Sequence, residues 1–469
     1  MKKVVLSMLA ASTLVMATQK IDQTLSADHT YEKHVSPKSY DIEGWDIFGD
    51  IRAGWVQYDY DNPPKGIDAN DNIIPTNPNT NKGHIDSKGF YIIPKVSIRS
   101  PEYKNFMFQV TGVAVTDFGI NDEKYEQRNF VFDPNKRDPY AILQEAFLHY
   151  GIRNNRFLIG REELTTPMID ADDWYMLADS FELARYSNKQ LDNITFNLGY
   201  FYKMAGPWDS GTDGTEFHSM SDASFIDSAD KQRIGDKGIY FGSFLYNDEK
   251  HNNLQVWEYY AQDMYNTLFI QYDYTNSIDK FNYDAGIQII DFAGVGKLED
   301  SESHTHIDYT LLSARFDGDF SNGINFATGI SKYTDGDGQG ATLGAWGGYP
   351  YFANGMIFHF FEAGSLRNAA SYKGQIGYDF GKLGVKSLWL GYRVTYFDLD
   401  SSQSFAKKIN SNGELVNDLS KPQNSMILNG IRLSYGNKHG AYFTGTYEHV
   451  KLDEEPNTFS LRLIGGYKF

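Results

Sequence analysis

The chain has no cysteine among its 469 residues, which excludes a disulfide framework and any thiolate-based zinc or redox centre. Proline is sparse, at 14 residues. No Pro/Ser-rich linker or break in composition divides the sequence, so one large domain is expected from a length that would also suit two or three. Positive charge is short as well: 43 Lys and Arg against 61 Asp and Glu give a formal charge of −18, a poor match to nucleic acid. After the first residues no apolar run approaches the roughly 20 residues of a membrane-spanning helix, and no stretch of convincing length keeps a helical period.

The opening M-K-K-V-V-L-S-M-L-A-A-S-T-L-V-M-A reads as a secretory signal over residues 1–17, with two lysines, an apolar run and small side chains at Val15 and Ala17 for cleavage. Its removal takes Lys2 and Lys3, so −18 becomes −20. Residues 18–45 are polar and irregular and are expected as an N-terminal periplasmic segment.

From 46 to 469 the abundant residues are Gly (43), Tyr (33) and Phe (32), in short runs with period two, the pattern of strands. In T-F-S-L-R-L-I-G-G-Y-K-F, residues Phe459, Leu461, Leu463, Tyr467 and Phe469 share one face and Ser460, Arg462 and Lys468 the other. An amphipathic last strand with a terminal aromatic resembles the signal by which the barrel assembly machinery recognises outer-membrane barrels. The same alternation sets Leu390, Tyr392 and Tyr396 against Arg393 and Thr395, and Tyr372, Ile376 and Tyr378 against Lys373 and Gln375. In a membrane barrel the apolar face meets lipid and the polar face the lumen. Segments 238–246 and 252–260 read either way.

Segmentation gives about eighteen strands, an even number as bacterial barrels require. Connections alternate between short ones, such as N-N-R (154–156) and G-K-L-G (381–384), and long ones, such as 61–87, 204–236 and 333–365. The fold class is therefore all-β, a transmembrane antiparallel barrel wide enough for an aqueous channel. Such a lumen needs narrowing, and the third long connection, 162–179, is the candidate constriction loop. It carries five acids, Glu162, Glu163, Asp170, Asp172 and Asp173, within G-R-E-E-L-T-T-P-M-I-D-A-D-D-W.

Four strings resemble the OprD-like outer-membrane porins: G-D-I-R-A-G-W (49–55), F-L-I-G-R-E-E-L-T-T-P-M-I-D-A-D-D-W-Y-M running on to D-S-F-E (157–182), W-G-G-Y-P-Y-F (346–352) and the terminal Y-K-F. Glu162 stands where members of that family commonly have Gln. The resemblance implies an eighteen-stranded barrel in the Gram-negative outer membrane, with the third outer loop folded inward and a ladder of bases on the facing wall. The strand alternation of this sequence places Arg153 and Arg161 beside the loop and Arg52, Lys95, Arg99, Lys203, Arg393 and Arg432 on lumenal phases, with Arg185 and Arg315 as further members on less clearly phased strands. Loop acids facing these bases would set a transverse field across the narrowest section, orienting zwitterions and carboxylates.

The implied function is passive diffusion of small charged solutes such as carboxylates, amino acids and ions. Its partners are outer-membrane lipid, the solutes and the assembly machinery, with monomer and homotrimer both open and neither cofactor nor catalytic residue expected. A barrel enzyme or surface adhesin without conductance is the alternative. A calcium reading of Asp170, Asp172 and Asp173 lacks any spacing that demands it. The string T-D-G-D-G-Q-G (334–340) has Trp346 where a calcium loop starting at Asp335 would need Glu. No metal site is therefore expected.

Overall fold

A computed structural model describes residues 40–42, 44–60, 87–121, 131, 138–173, 176–206, 215–224, 226–300, 302–303, 305–335, 346–358, 368–399, 407–409, 415–417, 424–436, 440–453 and 457–469. Its eighteen long strands are β1 (Trp45–Tyr60), β2 (Ser87–Arg99), β3 (Phe106–Val115), β4 (Tyr140–Ile152), β5 (Asn155–Glu162), β6 (Ser180–Asn188), β7 (Ile194–Ala205), β8 (Ile239–Asn247) and β9 (Asn252–Ala261). They continue with β10 (Tyr265–Ile278), β11 (Phe281–Gly294), β12 (Asp308–Phe320), β13 (Ile324–Asp335), β14 (Ala370–Asp379), β15 (Leu388–Asp398), β16 (Ser425–Gly436), β17 (Gly440–Leu452) and β18 (Thr458–Lys468). Each pairs antiparallel with its neighbours in sequence, and β18 returns to β1 through Asp50↔Lys468 to Tyr60↔Thr458. Terminal Phe469 completes the seam by exchanging backbone hydrogen bonds with Gly49 at 3.0 and 3.1 Å. Closure leaves no unpaired edge, the condition for strands to cross a bilayer.

The expected periplasmic segment contributes a short strand, Tyr40–Ile42, folded back on β1. Residues 1–39, and with them the expected signal segment, lie outside the described residues. The only α-helix among the described residues is the seven-residue Ser228–Ile234 in the β7–β8 connection.

Alternation sets the phase of each strand. Along β15, Leu390, Tyr392 and Tyr396 are exposed while Arg393 and Thr395 are buried inside. On β14, Ile376 is 58% exposed between inward Gln375 and Gly377. Replacing Ile376 with Arg is expected to destabilise the barrel, because a charge on the lipid face costs about 2 to 4 kcal/mol at the midplane and less toward the interface. Reversible unfolding from lipid vesicles measures this, and an unchanged free energy would reject the assigned phase.

Strands β8 and β9, ambiguous in sequence, turn Phe241, Trp257 and Tyr259 inward and Tyr240 and Tyr260 outward. Both faces are aromatic because the lumen here is filled. Two long connections, in their described residues 163–173, 176–179 and 346–358, enter the barrel and meet at an antiparallel bridge, Ile169↔Gly347, with Asp170 N–H donating to Trp346 O at 2.9 Å. Met168, Ile169, Trp346 and Tyr351 pack on the inward aromatics of β8–β13, so part of the hydrophobic core lies within the barrel wall. The close approach demands glycine: Gly347 has φ +79°, and a Cβ on Gly348 would sit 2.3 Å from the Met168 carbonyl carbon.

Candidate functional site

The narrow section is bounded by β1 and β2 on one side and the 163–179 loop on the other. Period two sends Asp50 and Arg52 of β1, and Lys95 and Arg99 of β2, into the lumen, with Asp50 directly opposite Lys95. Arg52 bonds Asp173 at 2.6 Å, Asp50 at 3.3 Å and the Met176 carbonyl at 3.0 Å. Lys95 forms an ion pair with Glu163. Arg99 reaches Gln109 at 3.0 Å and Asp46 at 3.9 Å, with its guanidinium over Phe48. Arg185 and Glu162 form a two-pronged pair with both contacts at 2.7 Å. The acids and bases of the neck are thus in contact as pairs, not opposed across open water.

Other expected positions lie elsewhere. Arg153 is in the exposed turn between β4 and β5, at φ 53°. The eight residues of β5 separate it from the loop, so it sits at the opposite barrel end. Arg161 shares the outward phase of Phe157 and Ile159 and bonds Glu182 at 2.9 Å. Lys203 is turned outward by a bulge that the alternation of β7 did not reveal. The register slips between Glu182 and Leu183, placing Lys203 opposite Glu182 while both Phe201 and Met204 point inward. Asp170 and Asp172 are buried, 4% and 2% exposed, at the junction of the two inward loops. Thr165 donates to Asp170 at 2.5 Å, and Asp173 reaches the wall base Arg52 at 2.6 Å.

Arg315, Arg393 and Arg432 have the expected lumenal phase, but the second inward loop covers them. Arg393, 1% exposed, donates to the carbonyls of Asn354 and Gly355 at 3.4 and 3.0 Å and to Gln375 at 2.7 Å. Arg432, fully buried, donates to Thr446 at 2.8 Å and to the Met356 carbonyl at 3.3 Å. Arg315 lies among Asp273, Asp284 and Asp317 at 2.9, 2.7 and 3.5 Å, beneath the Phe352 ring.

Sequence reasoning missed Glu448. It is fully buried on β17 and accepts the N–H groups of Met356, Ile357 and Phe358 at 2.6, 2.6 and 2.7 Å. Inward alternation with Thr446 and Val450 was legible, but its partner is backbone and leaves no residue-type signature. Asp50 was legible as the i−2 neighbour of Arg52 on one strand face.

A closed barrel with an apolar outer face and two inward loops defines an outer-membrane channel. A family model described as outer membrane porin, OprD family, matches residues 134–407, more than half of the chain, and the chain belongs to that family. It is an outer-membrane porin for passive diffusion of small solutes. Pseudomonas aeruginosa OccK9 (OpdG) superimposes with a TM-score of 0.70 at 13% identity, covering 91% of this chain and 99% of that one. A BenF-like porin from Pseudomonas fluorescens Pf-5 gives 0.67 at 14%, with 91% and 99% covered. Pseudomonas aeruginosa OpdK with vanillate gives 0.65 at 12%, with 90% and 98% covered. No curated protein matches the chain.

Proposed function

We propose that this porin passes small charged solutes, carboxylates and amino acids foremost, by partner exchange at the Arg52–Asp173 and Lys95–Glu163 pairs. The observation that carries the reading is Arg52, held between an acid of its own strand and an acid of the inward loop. Removing a lone charge from water is costly, whereas swapping one counter-charge for another is nearly balanced. A solute carboxylate can take Arg52 while its ammonium group takes Asp173. Carboxylate passage also fits the vanillate bound by the structurally similar OpdK.

No catalytic step belongs to this reading, and solutes leave unchanged. The last strand, ending in Phe469, serves the barrel assembly machinery, residues 1–17 the export route, and the apolar belt suits a monomer and a homotrimer alike.

A planar bilayer with a salt gradient tests the site. Wild type is expected to discriminate weakly between anions and cations, because each neck base is already in contact with an acid. Asp173→Asn should shift the permeability ratio toward anions by about fivefold, since one screened unit charge at a few ångströms is worth about 1 kcal/mol. Arg52→Gln should shift it the opposite way. Reversal potentials unmoved by both substitutions would remove this pair from the pathway.

A further inference from the structure

The outward phase of β5–β7 carries a compact row of charge at its long-connection end. Two residues beyond Ile159 toward the long-connection end, Arg161 stands opposite Glu182, and Glu182 stands opposite Lys203. Arg161 bonds Glu182 at 2.9 Å and lies over the Phe217 ring at 4.1 Å. The Lys203 ammonium lies over Tyr202, itself 50% exposed, at 5.4 Å. Two cations against one acid leave the row net positive. Charge on a lipid face is tolerated near the interface, where long side chains reach the headgroup layer.

Directly below this row the same strands form an open apolar groove of about 470 Å³. Leu148, Phe157, Ile159, Ala184, Tyr186 and Leu198 contribute to its lining, and Ile159 and Leu198 are 62% and 58% exposed. Ala184 is the small residue between larger neighbours, and its short side chain leaves the notch. A groove continuous with a positive row one strand-repeat above it matches an amphiphile with an apolar tail and an anionic head.

We propose that the groove and the row together bind one anionic lipid of the outer leaflet, with an acyl chain along Ala184 and a phosphate at Arg161 and Lys203. Charge complementarity selects this occupant. A zwitterionic headgroup would bring its own cation against the two already there.

Native mass spectrometry of the full chain in detergent, with lipid A and phosphatidylcholine as probes, tests the site. One lipid A adduct per chain is expected, in excess over phosphatidylcholine. Lys203→Gln should lower its occupancy about fivefold, the effect of one basic charge near a membrane surface. Arg161→Gln/Lys203→Gln should lower it further. Ala184→Trp should fill the notch and displace the lipid, with folding checked by the heat-dependent shift on detergent gels. Equal adducts for the two lipids, or lipid A occupancy unmoved by these substitutions in folded protein, would overturn the proposal. Chain oligomers lost in Ala184→Trp while lipid A adducts persist would overturn it in favour of a second copy.

Discussion

Glu448→Ala is expected to release the 346–358 loop from the wall and raise single-channel conductance. The carboxylate accepts three consecutive backbone N–H groups at 2.6 to 2.7 Å from a fully buried position. Hydrogen bonds to a charged group contribute about 1.5 to 3 kcal/mol each. Because the released loop regains water, the net loss in loop docking should be about 3 to 5 kcal/mol. That is enough to convert a docked segment into one that is mostly free. Loss of one negative charge, together with uncovering of Arg393 and Arg432, which donate to Asn354, Gly355 and Met356 carbonyls, should move selectivity toward anions. Glu448→Gln keeps one acceptor oxygen and should fall between. Bilayer recordings report conductance and reversal potential, and chymotrypsin should cut near Tyr351 and Phe352 in the variant only. Wild-type conductance with a loop still protected would show that other contacts suffice. The strand ladder is untouched, so the variant should keep its resistance to unfolding in unboiled detergent gels.

The barrel was legible because lipid outside and water inside impose opposite chemistry on alternate residues. One strand such as β15, with Tyr392 exposed and Arg393 buried, fixes its own phase. Legibility failed where that contrast disappears. Trp257 and Tyr259 of β9 face inward-folded loop instead of water, so both faces are apolar and the sequence pattern is mute. Lys203 was misplaced for a different reason: one bulged residue reverses the phase beyond it, and a bulge has no reliable one-sequence signature. The W-G-G string was visible, but its meaning depends on Gly347 and Gly348 meeting the Met168 segment nearly 180 positions earlier. The acids of the third loop were found and their roles only partly so. Asp173 reaches Arg52, whereas Asp170 and Asp172 help seal one loop against the other. Position along a loop does not say which acids face the pathway.

Arg315→Met is expected to be the most destabilising single change on the lumenal wall. Its guanidinium is 5% exposed and lies within 3.5 Å of Asp273, Asp284 and Asp317, whose side chains are 1 to 3% exposed. Space for it comes from the facing strand: Gly286 lies directly opposite, and a Cβ there would approach the Arg315 Nε to 2.8 Å. Methionine fills much of the volume but leaves three buried carboxylates without their shared cation. Breaking a buried pair in this way costs about 3 to 5 kcal/mol. The midpoint of urea unfolding from vesicles should fall accordingly. Lysine should restore only part of the loss, since a single ammonium cannot match the planar fork that reaches several carboxylates. The decisive control is Asp284→Asn in the Arg315→Met background. If like-charge repulsion causes the loss, removing one acid should recover part of it, and the two substitutions should be non-additive by more than about 0.5 kcal/mol. Strict additivity would instead assign the loss to packing of the guanidinium under Phe352, which lies 4.9 Å away. Because it removes one positive charge beside three acids, Arg315→Met should also shift any remaining conductance toward cations, opposite in sign to Glu448→Ala. The two variants therefore separate the roles of the wall: an acid that holds a loop in place, and a base that keeps buried acids from repelling one another.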